Sequence, residues 1–191
     1  MKIFLASNSP RRKELLQNLG FDFEVVSIDC DEIYPEHLET LEIAGYLSEA
    51  KSNAFRKLEK EEVLLTADTI VALEKQVLNK PADEAEAKEM LRKLSGKEHH
   101  VFTGITLRNS EKIITQTDVA KVEIEELTEA EIDFYVKTFK PFDKAGSYGV
   151  QEWLGMAKIK KIEGSFYTIM GLPTHLVYRL LKDFKAESFQ K

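Results

Sequence analysis

Asp68 stands inside an apolar run, with Leu64 and Leu65 before it and Ile70 and Val71 after it. A buried, ionised carboxylate is costly unless a cation or a metal ion pairs it. Asp68 therefore reads as a catalytic or metal-binding acid rather than as a cap at a strand end. A second group is Ser7-Asn8-Ser9-Pro10-Arg11-Arg12, which brings two hydroxyls and two guanidiniums together within six residues. If a helix begins there, its free N–H groups and positive dipole end join them, and the set suits phosphate oxygens. Lys51, Lys80 and Glu32 are unremarkable surface charges when taken singly. Together with Asp68, Arg11 and Arg12 they would make a metal-assisted phosphate site. The third group is the segment from Lys140 to Gln151, which combines charge, aromatic rings and the glycines Gly146 and Gly149. Such a density of special residues marks a binding loop. The Gln151 amide offers one donor and one acceptor, which matches an imide edge such as N3–H and O4 of uracil or thymine.

The pattern of the chain indicates what must position these groups. Ile3 to Ala6 is a short apolar strand. Ser9 is a good N-cap and Pro10 suits the first helical position, so a helix is expected up to Leu19, stopped by Gly20. Phe23 to Ile28 alternates as a second strand, and an acidic loop follows from Asp29 to Glu36. Leu41 to Leu58 has helical spacing, which places Lys51 on a helix. Val63 to Leu73 is a strand returning through Val77 and Leu78, and Asp83 to Leu94 is a helix closed by Gly96. His100 to Leu107 and Ile113 to Ile124 form a strand pair. Thr128 and Glu131 make a capping box for a helix ending near Thr138. Ala157 to Ile162 and Phe166 to Met170 read as strands around a Glu163-Gly164 turn, and Pro173 opens a last helix to Leu181. Interleaved helices and strands, some of them hairpin neighbours, predict an α/β fold with a mixed twisted sheet flanked by helices. No linker or repeat divides the chain, so residues 1–191 are read as one domain.

Composition narrows the function. The chain has 191 residues, of which 27 are Lys or Arg and 33 Asp or Glu, for a net charge of −6. Hydrophobic residues are 43% and charged residues 31%, an ordinary globular balance. A net acidic chain gains little from counterion release, so stable nucleic-acid binding is not expected, and an anionic ligand needs a local cationic cluster. The single cysteine, Cys30, makes no internal disulfide and no zinc pattern. No apolar run approaches the ~20 residues of a membrane span, and the N-terminal apolar stretch is too short for a secretory core, so a cytoplasmic protein is expected. The phosphate-binding pattern G-x-x-x-x-G-K-[ST] is missing, as are G-x-G-x-x-G and G-x-S-x-G. Ser48-Glu49-Ala50-Lys51 matches S-x-x-K by chance, without its companion motifs. His99 and His100 are neighbours on a strand and face opposite ways, which is wrong for a metal pair.

The ordered set of motifs resembles the Maf family, the septum-formation-inhibitor-like nucleoside triphosphate pyrophosphatases, over nearly the whole chain. The resemblance is carried by Ser7 to Arg12, Ala67-Asp68-Thr69, Asn79-Lys80-Pro81, Leu94-Ser95-Gly96, Thr103-Gly104, Asp143 to Gln151 and Gly171-Leu172-Pro173. It implies two lobes around a central cleft, a homodimer, and hydrolysis of a nucleoside triphosphate to the monophosphate and pyrophosphate with a divalent cation, Mg²⁺ or Mn²⁺. The family's functional positions match Arg12, Glu32, Lys51, Asp68 and Lys80, with Asp68 at the position of the proton acceptor. Its specificity positions match Arg11, Thr69 and Gln151, the combination of the branch acting on dTTP and UTP. The branch acting on 7-methyl-GTP carries a glutamate where this chain has Gln151. On this resemblance the triphosphate is expected on Ser7, Ser9, Arg11, Arg12, Lys51 and Lys80, and the metal on Glu32 and Asp68. Three departures stand out. Ser147 replaces a common alanine, Val150 replaces a common isoleucine, and Glu152-Trp153 follow Gln151 where glycine is common. A nucleotide sensor controlling septum formation would use the same cations, but it needs no buried acid.

Overall fold

The computed structural model describes residues 1–188, with side chains described through Phe184. Lys2–Ala6 (β1) is buried at Ile3, Phe4 and Leu5, the continuous apolar run of a strand covered on both faces. Pro10–Asn18 (α1) follows, with Ser9 as N-cap and Gly20 at φ +81° beyond its end. Glu24–Val26 (β2) lies parallel to β1. Thr40–Ala54 (α2) ends four residues short of the expected Leu58, because Phe55 turns to extended backbone. Glu62–Leu73 (β3) pairs in parallel with β1 and returns through Gln76–Leu78 (β4). Glu84–Leu94 (α3) begins at Asp83, whose carboxylate accepts the Glu86 N–H at 2.9 Å. Glu98–Arg108 (β5) and Ile113–Ile124 (β6) come next, then Glu129–Phe139 (α4) with the expected Thr128–Glu131 capping box.

Among the described residues seven strands make one mixed sheet, in the order β2-β1-β3-β5-β6 and then Ile159–Glu163 (β7), with β4 on β3. Helices Trp153–Lys158 (α5), Phe166–Met170 (α6) and Thr174–Ser188 (α7) complete the chain. The sheet and its helices are the α/β class expected from the interleaved pattern. No described helix is long and apolar enough to cross a membrane.

The chain packs as two compact units. Among the described residues the first holds 1–68, 103–118 and 171–188, and the second holds 69–102 and 119–170. In the second, Leu91, Val101, Val122, Ile132 and Tyr135 belong to one core cluster.

Ala157 and Lys158 close α5 instead of opening the strand expected from Ala157 to Ile162, and one whole segment changes type. Phe166 to Met170 is a helix, not a strand. A short apolar, aromatic run has no decisive period. The partner it would need is β7, which already pairs with β6 and otherwise presents Lys160, Lys161 and Glu163. A charged edge strand rejects a further neighbour. The Thr168 N–H instead bonds the Ser165 carbonyl at 3.1 Å and the chain coils.

In the first unit α2 rests directly on β5. A Cβ added at Gly104 would lie 2.3 Å from the Ala44 carbonyl and 2.4 Å from the Gly45 nitrogen. No side chain fits there, and backbone cannot yield cheaply. Gly104→Ala should therefore destabilise the protein by about 1–3 kcal/mol, the usual range for overpacking. The measurement is thermal unfolding, with a midpoint lowered by several degrees. An unchanged midpoint would show that α2 can lift without cost.

Candidate functional site

The parallel register places the first group of residues. Ala6 is level with Thr66, so the chain leaving β1 runs beside Ala67 and Asp68 as it enters α1. Ser7 is buried and its Oγ accepts the Ser9 N–H at 3.2 Å, while Ser9 Oγ accepts the Arg12 N–H at 3.5 Å. These bonds satisfy donors at the turn and set the helix start. Arg12 reaches back from the first turn. Its Nη1 donates to the Ala67 carbonyl at 2.9 Å and its Nε to the Gly171 carbonyl at 2.8 Å. Burial pulls the Arg12 guanidinium below its ordinary pKa, while attraction to Asp68 opposes this. An arginine stays charged through such a shift.

Asp68 is 7% exposed and its carboxylate pairs with the Lys51 ammonium. The same ammonium donates to Glu32 Oε1 at 2.8 Å, so one cation gathers both carboxylates. Glu32 lies in the acidic loop before α2, and its side chain is half-exposed. Arg11 and Glu32 both act electrostatically on Arg12. The first unit thus brings together Arg11, Arg12, Lys51, Glu32 and Asp68, beside Ser7 and Ser9.

What holds Lys51 opposite Asp68 is a second cross-link that sequence reading missed. Ser48 lies one helical turn before Lys51, and Thr66 lies two residues before Asp68 on the same strand face. Thr66 Oγ1 donates to the Ser48 carbonyl at 2.7 Å. Ser48 Oγ bonds Thr106 Oγ1 at 2.7 Å, and Thr106 in turn bonds Thr115 at 3.0 Å. Two pairs in register therefore lock α2 to β3. The S-x-x-K match is explained too, because Ser48 is fully buried in a structural hydroxyl chain. The available signal was Thr103-Gly104 and Thr66, small and polar residues in otherwise apolar strands.

The other expected residues belong to the second unit. Thr69 follows Asp68 on β3 and is half-buried; Lys80 follows β4 and is exposed. The Asn79 carbonyl beside Lys80 accepts the Gly146 N–H at 3.3 Å, which ties that turn to the segment leading to Gln151. Within this segment Gly146 has φ +68° and packs on Val71, where a Cβ would lie 2.9 Å from Cγ1. Ser147, at φ +62°, donates its hydroxyl to Met90 Sδ at 3.1 Å. Tyr148 OH bonds His99 Nε2 at 2.7 Å. Gln151 Oε1 is buried, and it and His99 Nδ1 lack a hydrogen-bond partner among the described residues. His100 stacks on Phe102, and no group of three or more His, Cys, Asp or Glu that could hold a metal occurs among the described residues.

Comparison with known proteins follows the same motifs. A family model described as "Maf-like protein" matches residues 2–184. The chain belongs to the Maf family. It is 51% identical over 183 residues to a dTTP/UTP pyrophosphatase of Bacteroides thetaiotaomicron, covering 95% of each chain. It is 46% identical over 185 residues to a dTTP/UTP pyrophosphatase of Christiangramia forsetii, covering 95% of this chain and 93% of that one. Among solved structures, the Ham1 protein of Staphylococcus aureus gives a TM-score of 0.45 at 18% identity, over 65% of this chain and 72% of that one. Two positions where this Maf chain departs from the commoner pattern have structural employment. Ser147 bonds Met90, and Glu152 accepts from both Tyr135 and Lys144.

His99 gives a pH prediction. Burial, with a smaller push from His100, draws its pKa from 6.5 down to about 4, so it stays neutral in the folded protein. Below pH 6.5 the unfolded chain takes up a proton that the folded one refuses, so stability is lost as pH falls through this window towards 4. The loss is on the order of 3 kcal/mol at 1.36 kcal/mol per unit. In urea unfolding between about pH 7 and pH 4, the stability of His99→Gln should fall less steeply than that of the unmodified protein. Parallel slopes would show that His99 protonates freely in the fold.

Proposed function

We propose that the protein hydrolyses dTTP and UTP to the nucleoside monophosphate and pyrophosphate. The observation that carries the reading is Asp68, an almost fully buried carboxylate paired with an ammonium that also holds Glu32. A protein that only bound phosphate would need Arg11, Arg12 and Lys51, but would have no use for an acid among them. The names of the relatives from Bacteroides thetaiotaomicron and Christiangramia forsetii support the same activity.

In this reading the triphosphate lies across the N-terminus of α1. Ser7, Ser9, Arg11 and Arg12 donate to its oxygens, and Lys51 and Lys80 bring further charge. Lys51 has three protons and spends two on carboxylates, which leaves a third for a phosphate oxygen. Asp68 orients a water against the α-phosphorus and takes its proton. The water oxygen bonds to that phosphorus while the bridging bond to the β-phosphate breaks, and pyrophosphate leaves with the electron pair. Arg12 and the lysines neutralise the charge that grows on the leaving oxygen.

A divalent cation fits this donor set. Glu32 and Asp68 converge within the reach of one ammonium, and Mg²⁺ characteristically takes one or two carboxylates plus substrate phosphates. Glu32 and Asp68 would hold Mg²⁺ or Mn²⁺ together with phosphate oxygens. When bound, it supplies charge neutralisation and a more acidic water, which a weak base such as aspartate needs.

Gln151 supports the choice of base. Its buried, unpartnered Oε1 suits an N3–H donor, and its amide N–H suits O4. Cytosine presents the reverse pattern, and a mismatch leaves buried groups unpaired.

Two measurements test this. Asp68→Asn keeps shape and loses charge, so kcat should fall by at least about a hundredfold in a pyrophosphate-release assay with Mg²⁺. Near-normal turnover in the folded variant would sink the mechanism. In the same assay over a panel of triphosphates, dTTP and UTP should be preferred over CTP, dCTP and purine triphosphates. Gln151→Glu should erode that preference, because a carboxylate can only accept and would face O4. Equal kcat/KM for UTP and CTP in the unmodified protein would overturn the base assignment, and a strong preference for 7-methyl-GTP would move the chain to the other branch.

A further inference from the structure

Gln151 can discriminate an imide from its reverse only if the turn that carries it is held in place, and several polar contacts converge on that turn. The Tyr135 hydroxyl on α4 accepts the Gly149 N–H at 2.9 Å and donates its own proton to Glu152 Oε2. One oxygen therefore grips the chain two residues before Gln151 and one residue after it. The Glu152 N–H closes a turn on the Gly149 carbonyl at 3.0 Å. A Cβ at Gly149 would lie 2.9 Å from Gln151 Nε2 and 2.7 Å from Glu152 Cδ, so a side chain there would push on both. Gly155 on α5 packs so tightly that a Cβ would lie 1.7 Å from the Val150 carbonyl oxygen. Lys144 holds the other Glu152 oxygen at 3.1 Å. Burial and the Glu152 carboxylate both raise the Tyr135 phenol, which keeps it protonated and able to donate.

We propose that Tyr135, acting through its paired bonds to Gly149 and Glu152, is the positioning residue that holds the turn carrying Gln151 in place for pyrimidine recognition. The inference rests on the reading of Gln151 as the base-recognising residue. Tyr135 does not touch the base; it stops the turn that carries Gln151 from rotating. Its ring stacks on Phe139 at 5.1 Å and on Trp153 at 6.5 Å, contacts that need no hydroxyl. Glu152 makes the tether possible, and glycine at that position could not accept the bond from a side chain.

The experiment compares kcat/KM for UTP and CTP in the unmodified protein, Tyr135→Phe, Glu152→Ala and Glu152→Gln. The ratio of the two values is independent of the fraction of folded enzyme, so a loss of fold alone cannot move it. Tyr135→Phe should reduce the UTP preference about tenfold, the scale of one misplaced hydrogen bond, through KM for UTP more than through kcat. Glu152→Ala should follow it. Glu152→Gln should restore most of the preference, because an amide oxygen still accepts from the phenol. A clear UTP preference that survives intact in Tyr135→Phe and Glu152→Ala overturns the tether and leaves the reading of Gln151 standing. An unmodified protein that does not distinguish UTP from CTP overturns that reading and the tether with it.

Discussion

A carboxylate placed in the middle of an apolar strand constrains everything packed around it. Burying the Asp68 carboxylate at 7% exposure is costly without a cation beside it, and a cation on a flexible side chain must itself be held. Lys51 meets the first need, and the rigid seat of α2 meets the second. That seat depends on Gly104, which lets the helix backbone touch β5, and on the Ser48–Thr66 bond that sets its register. Arg12 adds a second cation, whose guanidinium donates to the Ala67 and Gly171 carbonyls.

The second unit is organised around an amide instead of a charge. The segment from Lys140 to Gln151 carries positive φ at Lys140, Gly146 and Ser147, so its shape is not one that an unsupported chain would hold. Its support is polar and interior: His99 under Tyr148, Met90 under Ser147, and Tyr135 under Gly149 and Glu152. Buried networks of this kind rigidify when satisfied. Two buried side-chain atoms lack partners among the described residues, and one of them is the Gln151 carbonyl oxygen. An unpaired buried acceptor costs about 1–3 kcal/mol.

Much of this organisation is legible in the sequence because it is local. Ser9 caps α1, Thr128 and Glu131 cap α4, and Asn109 Oδ1 accepts the Glu111 and Lys112 N–H groups in the β5–β6 turn. Each device spans two or three residues, the reach of a single hydrogen bond along the chain. The apolar run of β3 marks Asp68 as anomalous without any knowledge of its partner. The misread segment, Phe166 to Met170, failed for the complementary reason. Its own residues have no decisive period, and the charged edge of β7 offers it no partner.

The sequence by itself therefore determined the elements, their caps and the presence of one acid where an acid is expensive. Tertiary structure decided the pairings. Lys51 and Asp68 are 17 residues apart and Arg12 and Gly171 are 159 apart, separations at which side-chain spacing carries no information. Parallel register between β1 and β3 brings the start of α1 alongside Asp68, and the close contact at Gly104 brings α2 within reach of it. Short-range hydrogen bonds are written in neighbouring residues. Long-range ones exist only after burial has chosen which faces of the sheet and helices meet.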